Sequence, residues 1–461
     1  MNKKIPNLKL ILPNNEKCSV CVVGLGYVGL PLAVQIAKTR RSFGDKKKLQ
    51  RNVIGFDINP KRIKELKIGF DKTLEIKEKN LKNVLQKKFL KFTNKVEDII
   101  DCEIFIVTVP TPINEYKKPD LSLIKDASQM IGLSISKRKN KNNIPIIIFE
   151  STVYPGATEE VCVPIIEKFS GMKLNHNSDG HYFHCGYSPE RINPGDKKHS
   201  ISEIKKVTSG SNNISSKWIN NFYKSFIKAG THLAPSIKVA EAAKIIENTQ
   251  RDLNIALVNE LSIIFEKMNI DTLDIIEAAS TKWNFIKFTP GLVGGHCIGV
   301  DPYYLTHKSQ ELGYEPKIVL AGRELNDNMS FLIVNRLLSE LNKRKIDKTK
   351  CKILILGITF KENCPDLRNS KVLEIINLIQ KFNSNITVIE PYFEEEKNID
   401  LKINIQKDFE GIQSYDVILS TVKHREFLNK KINFWRNVVK ENHIILDVKG
   451  FMPRCLNTIR L

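Results

Sequence analysis

An apolar run, Ser19–Val23, passes directly into Gly24-Leu-Gly26-Tyr27-Val28-Gly29 and then into a helical pattern from Leu30 to Lys38. A second apolar run, Val53–Phe56, stops at Asp57. No other stretch of the chain limits the fold so tightly. Strand, glycine turn, helix, strand and terminal carboxylate together make a dinucleotide-binding unit. Gly24 and Gly26 let the backbone turn tightly and approach a pyrophosphate, Gly29 lets the helix pack closely, and the helix N-terminus offers amide donors to the anion. A carboxylate at position 57 accepts from ribose hydroxyls and repels a 2′-phosphate, so the expected cofactor is NAD rather than NADP. One departure is the 33-residue separation of Gly24 from Asp57, where about 20 is usual. The excess is a basic segment, Arg40–Arg51, which reads as a surface loop, with a charged flap near the adenosine as the alternative.

Further apolar runs at Ile104–Val109 and Ile144–Phe149 alternate with helical stretches, as a parallel sheet with crossover helices requires. After Pro235 the pattern becomes one helical segment, Ser236–Met268, free of internal Pro and Gly. At 1.5 Å per residue it would be about 50 Å long, enough to connect two domains. A second strand-and-helix series starts at Lys352–Gly357 and continues through Ile386–Ile389, Asp416–Val422 and Ile444–Val448. The expected fold class is therefore α/β, two Rossmann-like doubly wound domains joined by a long central helix. The divisions fall at 1–235, 236–345 and 346–461, and no short internal repeat is seen.

Composition narrows the function classes. The apolar fraction of 41% and 22 Phe, 11 Tyr and 3 Trp exclude wholesale disorder. No apolar run reaches the ~18–20 residues of a membrane span. Pro6, Asn7, Lys9 and Pro13 interrupt the N-terminal stretch before a signal h-region can form, so it reads as a cytoplasmic extension. Nine scattered cysteines fit a reducing compartment and a cytoplasmic location. Cys18 and Cys21 form a CxxC, but positions three apart on a strand face opposite ways, so they read as buried thiols and no metal site is expected. A net charge of +21 suits an anionic ligand or a lysine-rich surface. Local knots at Lys46–Lys48 and Lys137–Lys141 lack interleaved aromatics, which speaks against a nucleic-acid-binding protein.

The segment Pro290-Gly-Leu-Val-Gly294-Gly295-His296-Cys297-Ile-Gly-Val-Asp301 crowds glycines just before a cysteine. That suits a presented, reactive thiol or a structural turn. Lys244, Asn248 and Arg251 fall at i, i+4 and i+7 of the central helix, a polar stripe that suits a pocket wall or a solvated face.

Taken together, GLGYVGLPLA (24–33), VPTP (109–112), ESTVYPGAT (150–158), SPERINPGD (188–196), EAAKIIENTQRDLNIALVNE (241–260), GLVGGHCIGVDPYYL (291–305) and GITFKENCPDLRNS (357–370) resemble the UDP-glucose/GDP-mannose dehydrogenase family. The resemblance runs from about Ser19 to Gly450. It implies an N-terminal NAD domain, a central helical dimerisation region and a C-terminal domain gripping uridine diphosphate, in a homodimer or higher homo-oligomer. It also implies two successive NAD-dependent oxidations of a nucleotide sugar's C6 alcohol to a carboxylate. Cys297 is then the nucleophile, passing through a thiohemiacetal and a thioester. Lys244 and Asn248 match residues that stabilise the oxyanion and handle the alcohol proton, Asp301 matches a carboxylate that positions water, and Thr152 and Glu190 match pocket positions. Tyr27, Val28, Asp57, Arg62, Thr111, Thr158 and Arg368, with the three glycines, resemble cofactor contacts. Arg191, Ile192, Lys244, Asn248, Arg251, Gly294 and Lys361 resemble nucleotide-sugar contacts. Without the resemblance, Arg62 and Arg368 read as surface residues.

UDP-glucose dehydrogenases usually carry SPEFLxEG where this chain has SPERINPGD, with Asn193-Pro194 in place of the second carboxylate. Together with KWNF at 282–285 and NCPD at 363–366, this resembles the branch acting on UDP-N-acetylglucosamine or UDP-N-acetylgalactosamine in surface polysaccharide synthesis. UDP-N-acetylmannosamine is the nearest alternative and UDP-glucose the next. A one-step hydroxyacid-type dehydrogenase would share the first domain and a helix lysine, but needs neither the cysteine loop nor a second α/β domain.

Overall fold

The computed structural model describes residues 11–139, 143–175, 181–192, 200–295, 297–393 and 403–461. The first ten residues, part of the Lys137–Lys141 knot, Asn193-Pro194 and His296 lie outside the described residues. The chain forms two compact units, 1–246 with 303–308, and 247–302 with 309–461.

In the first unit, strands β1 (Ser19–Val23), β2 (Asn52–Phe56), β3 (Leu90–Thr93), β4 (Ile104–Val107), β5 (Ile146–Phe149), β6 (Lys173–Leu174) and β7 (Tyr182–Tyr187) form one sheet. Its order is β3-β2-β1-β4-β5-β7-β6, with parallel pairing throughout. β4 and β5 are buried at every residue, which explains their unbroken apolar sequences: a parallel strand covered on both faces has no polar side. Helices α1 (Gly29–Lys38), α2 (Pro60–Lys67), α3 (Glu78–Gln86), α4 (Ser122–Ser136), α5 (Val163–Ser170) and α6 (Asn213–Lys224) accompany it, with a small pair of strands, β8 (Lys206–Thr208) and β9 (Thr231–Leu233). α2 starts cleanly because Asn59 Oδ1 accepts from the amides of Lys61 and Arg62 and Pro60 stands in the first turn.

The basic insertion is a docked loop. It precedes the N-terminal end of β2, whereas the glycine turn follows the C-terminal end of β1, and the two strands are parallel. Arg51 is 1% exposed, donates to the Asn15 carbonyl at 2.7 and 2.8 Å and lies over the Phe222 ring. Phe43 N–H bonds the Ser225 carbonyl at 2.9 Å. The segment therefore sits at the sheet end remote from the nucleotide turn, and the flap alternative fails. Cys18 precedes β1 by one residue and Cys21 lies within it. Burial pushes the Cys18 thiol up to about 12, and burial with a contact to Cys102 raises Cys21, leaving both as unreactive interior thiols.

α7 (Ile237–Lys267) is the expected central helix, 31 residues long. Its residues up to Ile246 count with the first unit and the rest with the second. The second unit continues through α8 (Thr272–Ala279), α9 (Asp301–Glu311), α10 (Lys317–Lys343) and α11 (Lys371–Gln380); Tyr303–Lys308 of α9 belong to the first. Its sheet comprises β10 (Ile353–Leu356), β11 (Ile386–Ile389), β12 (Asn404–Gln406), β13 (Tyr415–Ser420), β14 (Val439–Asp447) and β15 (Ile459–Arg460). These strands are parallel in the order β12-β11-β10-β13-β14-β15.

The two sheets close their first strand with the same device. Gly24 at φ +90° and Gly357 at φ +87° donate to the Phe56 and Ile389 carbonyls, each at 2.8 Å. Asp57 accepts from Leu25 N–H at 2.8 Å, and Glu390 from Ile358 N–H at 2.7 Å. Thr108 and Thr421 hydroxyls bond the two glycine carbonyls at 2.7 and 2.6 Å. Of the three glycines of the first turn only one recurs in the second, at Gly357, with Thr359 and Glu362 in the places of Gly26 and Gly29. Among the described residues, no helix is long and apolar enough to cross a membrane.

Candidate functional site

The first unit's site is built on the glycine turn. A Cβ on Gly29 would lie 1.8 Å from the Gly24 carbonyl and 2.3 Å from Thr108 Oγ1, whereas one on Gly26 would meet nothing within 4 Å. Gly29 is thus demanded by packing, and Gly26 by whatever approaches from outside. Val28, the residue preceding α1, supplies no side-chain cap; the Leu30 and Leu32 amides bond the Gly26 and Val28 carbonyls, each at 3.2 Å, and what the helix start offers an anion is the positive end of its dipole. Asp57 is half-buried, oriented by the amides of Leu25 and, at 2.9 Å, Asn59. Open space at Gly26, a helix N-terminus at the turn and an oriented carboxylate fit NAD's pyrophosphate and ribose. Arg62 is 9% exposed rather than a surface residue; it braces the turn through the Leu25 carbonyl at 3.0 Å and pairs with Asp71 at 2.8 Å.

Beyond β4 and β5, Thr111 Oγ1 donates to the Thr152 carbonyl at 2.6 Å. Thr158 is fully buried, its amide held at 2.9 Å by Glu241, which also takes the Gly156 amide at 2.5 Å. Desolvation pushes Glu241 up to about 7. Glu190 is 5% exposed; burial raises its pKa, and the cations of Lys244 and Lys206 oppose the rise. Lys244 is itself buried. Behind Glu190 lies a buried cluster: Lys206 pairs with Glu150 at 2.6 Å, and Tyr223 donates to the same carboxylate. Arg191 donates to the Lys205 carbonyl at 2.8 Å, and the Ile192 amide folds back onto Glu190.

In the second unit, Cys297 is half-buried; among the nine cysteines only Cys297 and the exposed Cys455 are not fully buried. Its carbonyl accepts from Val300 and Asp301 at 3.0 and 2.8 Å, which fixes the turn entering α9. Asp301, 1% exposed, accepts from Asn248 Nδ2 at 2.5 Å. Thiol turn, carboxylate and helix amide thus form one connected chain. The neighbouring glycines have a second cause. A Cβ on Gly294 would meet the Asn369 carbonyl at 2.8 Å and one on Gly295 the Phe360 ring at 2.6 Å, so they let the 360–369 loop pack onto the cysteine loop.

Gly294 and Lys361 line a cleft shared with Thr359, Lys371 and Lys449. Lys371 pairs with Glu374 at 2.8 Å and Lys449 with Glu362, also in the lining, at 3.5 Å, so a diphosphate here would share these ammonium groups with the two carboxylates. No local pattern in the sequence marks Lys371 or Lys449, because only the fold brings them to this cleft. The loop bearing Lys361 is held by His424, whose Nδ1 accepts from the Asn363 amide at 3.0 Å and whose Nε2 lies 3.2 Å from Glu390. Glu390 is fully buried where Asp57 is half-exposed, so the second glycine turn is filled by the protein's own side chains. Two expected residues are not drawn into these clusters. Arg368 is exposed and paired with Asp366 at 2.6 Å, and Arg251 is exposed on α7.

Residues 18–227 match the NAD binding domain of the UDP-glucose/GDP-mannose dehydrogenase family, 238–328 its central domain and 354–454 its UDP binding domain. The chain belongs to this family. It is an NAD-dependent dehydrogenase acting on a nucleotide sugar. It is 50% identical over 442 residues to the UDP-N-acetyl-D-glucosamine 6-dehydrogenase of Pseudomonas aeruginosa, covering 96% of this chain and 99% of that one. It is 47% identical to the enzyme of the same name from Salmonella typhi, covering 97% and 99%. A solved structure of a UDP-D-ManNAc dehydrogenase from Pyrococcus horikoshii superposes with a TM-score of 0.81 at 27% identity, covering 96% and 98%.

Proposed function

We propose that the chain oxidises the C6 hydroxyl of UDP-N-acetyl-D-glucosamine to the carboxylate in two steps. The observation that carries the substrate assignment is the 50% identity, over almost the full length of both chains, to a UDP-N-acetyl-D-glucosamine 6-dehydrogenase. Identity to the UDP-D-ManNAc dehydrogenase of solved structure is only 27%.

Residues 1–235 hold NAD, 236–345 form the central helical region and 346–461 grip the uridine diphosphate, with Lys361, Lys371 and Lys449 countering its charge. NAD, when bound at the turn after β1, supplies the hydride acceptor for both oxidations. Lys244 takes the C6 hydroxyl proton as the aldehyde forms. Cys297 Sγ adds to the aldehyde carbon, and the resulting oxygen is stabilised by Lys244 and Asn248. Oxidation of this thiohemiacetal leaves a thioester on Cys297. Asp301, oriented by Asn248, and Glu190 direct a water to its carbonyl; the C–S bond breaks, the thiolate leaves and the carboxylate departs. Thr152 lines the pocket. Exposed apolar residues on the second unit, Leu257, Ile264 and Trp283 among them, support self-association as a homodimer or higher oligomer.

The test is a panel of UDP-N-acetylglucosamine, UDP-N-acetylgalactosamine, UDP-N-acetylmannosamine and UDP-glucose. UDP-N-acetylglucosamine is expected to give the highest kcat/KM; a tenfold preference for any other would overturn the substrate assignment.

A further inference from the structure

Four polar side chains lie fully buried between α7 and α10: Asp252, Asn259, Arg323 and Asn326, each 0–2% exposed. Asn259 Oδ1 accepts the Gly291 amide at 2.8 Å while its Nδ2 donates to the Gly291 carbonyl at 3.0 Å and to Asn326 Oδ1 at 2.9 Å. Asn326 Nδ2 passes to Asp252 Oδ1 at 2.8 Å, and Arg323 pairs with the same carboxylate at 2.6 Å. The Arg323 guanidinium also bonds Asp327, one turn further along α10, and lies near Gly299, where an added Cβ would stand 3.8 and 3.9 Å from its two terminal nitrogens. Gly291 and Gly299 bracket Cys297.

Burying four polar side chains in a helix interface carries a desolvation cost that their mutual bonds offset only in part, since Asp252 Oδ2 accepts none. Packing alone is served by aliphatic residues, as further along α10 at Ile333, Leu337 and Leu341. The polar set stands instead where the cysteine loop passes the two helices. Asn259 grips both hydrogen-bonding groups of one loop residue, which fixes the loop in rotation as well as in position.

We propose that Asn259, backed by Asn326, Asp252 and Arg323, is a positioning device that fixes the Gly291 end of the cysteine loop and so aims the Cys297 thiol. The inference rests on the reading of Cys297 as nucleophile. In Asn259→Ala, kcat for acid formation falls at least tenfold while the NAD dissociation constant stays within twofold of wild type. Hydrogen exchange accelerates in the peptide spanning 290–301 but not in one spanning β10. A kcat within twofold of wild type, or acceleration shared equally by β10, overturns the proposal. Arg323→Lys keeps a charge opposite Asp252 but cannot bond Asp252 and Asp327 through two separate nitrogens, and carries the same expectation at about threefold should the first variant not fold. Cys297→Ala separates the two readings. If it keeps full activity the nucleophile assignment fails; if it is inactive while Asn259→Ala is unchanged in rate and exchange, the positioning device alone fails.

Discussion

Replacing Glu241 by Gln should remove a pH dependence of stability that this one carboxyl imposes on the first unit. Glu241 is fully buried on α7, with the Gly156 and Thr158 amides on its two oxygens; desolvation, helped by the like charge of Glu159, outweighs those donors and holds it at about 7 instead of 4.5. The folded chain therefore binds this proton more tightly than the unfolded chain, by roughly 3 kcal/mol at about 1.4 kcal/mol per tenfold. The sign follows: the contribution is fully present below pH 4.5, is lost as pH rises through about 7, and is absent above. Gln cannot ionise, so the stability of wild type minus that of the Gln variant should drop by roughly 3 kcal/mol between pH 4.5 and pH 8. Urea unfolding followed by the fluorescence of Trp218, a buried residue of α6, measures it, with Trp283 and Trp435 replaced by Phe in both proteins. A difference that is flat with pH, or that grows as pH rises, would refute the reasoning.

Cys297→Ala should reduce acid formation by about a thousandfold or more while NAD still binds; equilibrium binding and turnover measured on one preparation check both halves. Gly29→Ala places a methyl 1.8 Å from the Gly24 carbonyl, which forces the turn apart at a cost of about 1–3 kcal/mol or more. NAD affinity should fall at least tenfold, read by titrating cofactor fluorescence.

The glycine turn, its Asp57 and the long central helix were legible because each is written in contiguous residues whose local physics decides the outcome. β11 coincides with its expected run, and Lys244, Asn248 and Arg251 of the stripe all lie on α7 because helical spacing is fixed, with Lys244 buried and Arg251 exposed. Long-range pairings were not legible. Glu150 meets Lys206 and Tyr223 across 56 and 73 residues, and a buried Lys and a buried Glu each look like surface residues until they are paired. Glu241 stands three residues before Lys244 on α7, yet its partners Gly156 and Thr158 lie 85 and 83 residues away. The duplicated strand-end device did leave a signal: Glu390 follows Gly357 by the same 33 residues that separate Asp57 from Gly24. It was hidden because only one glycine of the three recurs. The Arg40–Arg51 loop was ambiguous because charge alone does not say at which end of a sheet a loop sits.

The most direct test counts reduced cofactor against sugar. With purified protein, limiting UDP-N-acetylglucosamine and excess NAD, two NADH should appear for each sugar consumed, with the 6-carboxylate as product and no free aldehyde. One NADH per sugar with aldehyde accumulating, or no NADH from this sugar while another UDP-hexose is turned over, would contradict the account.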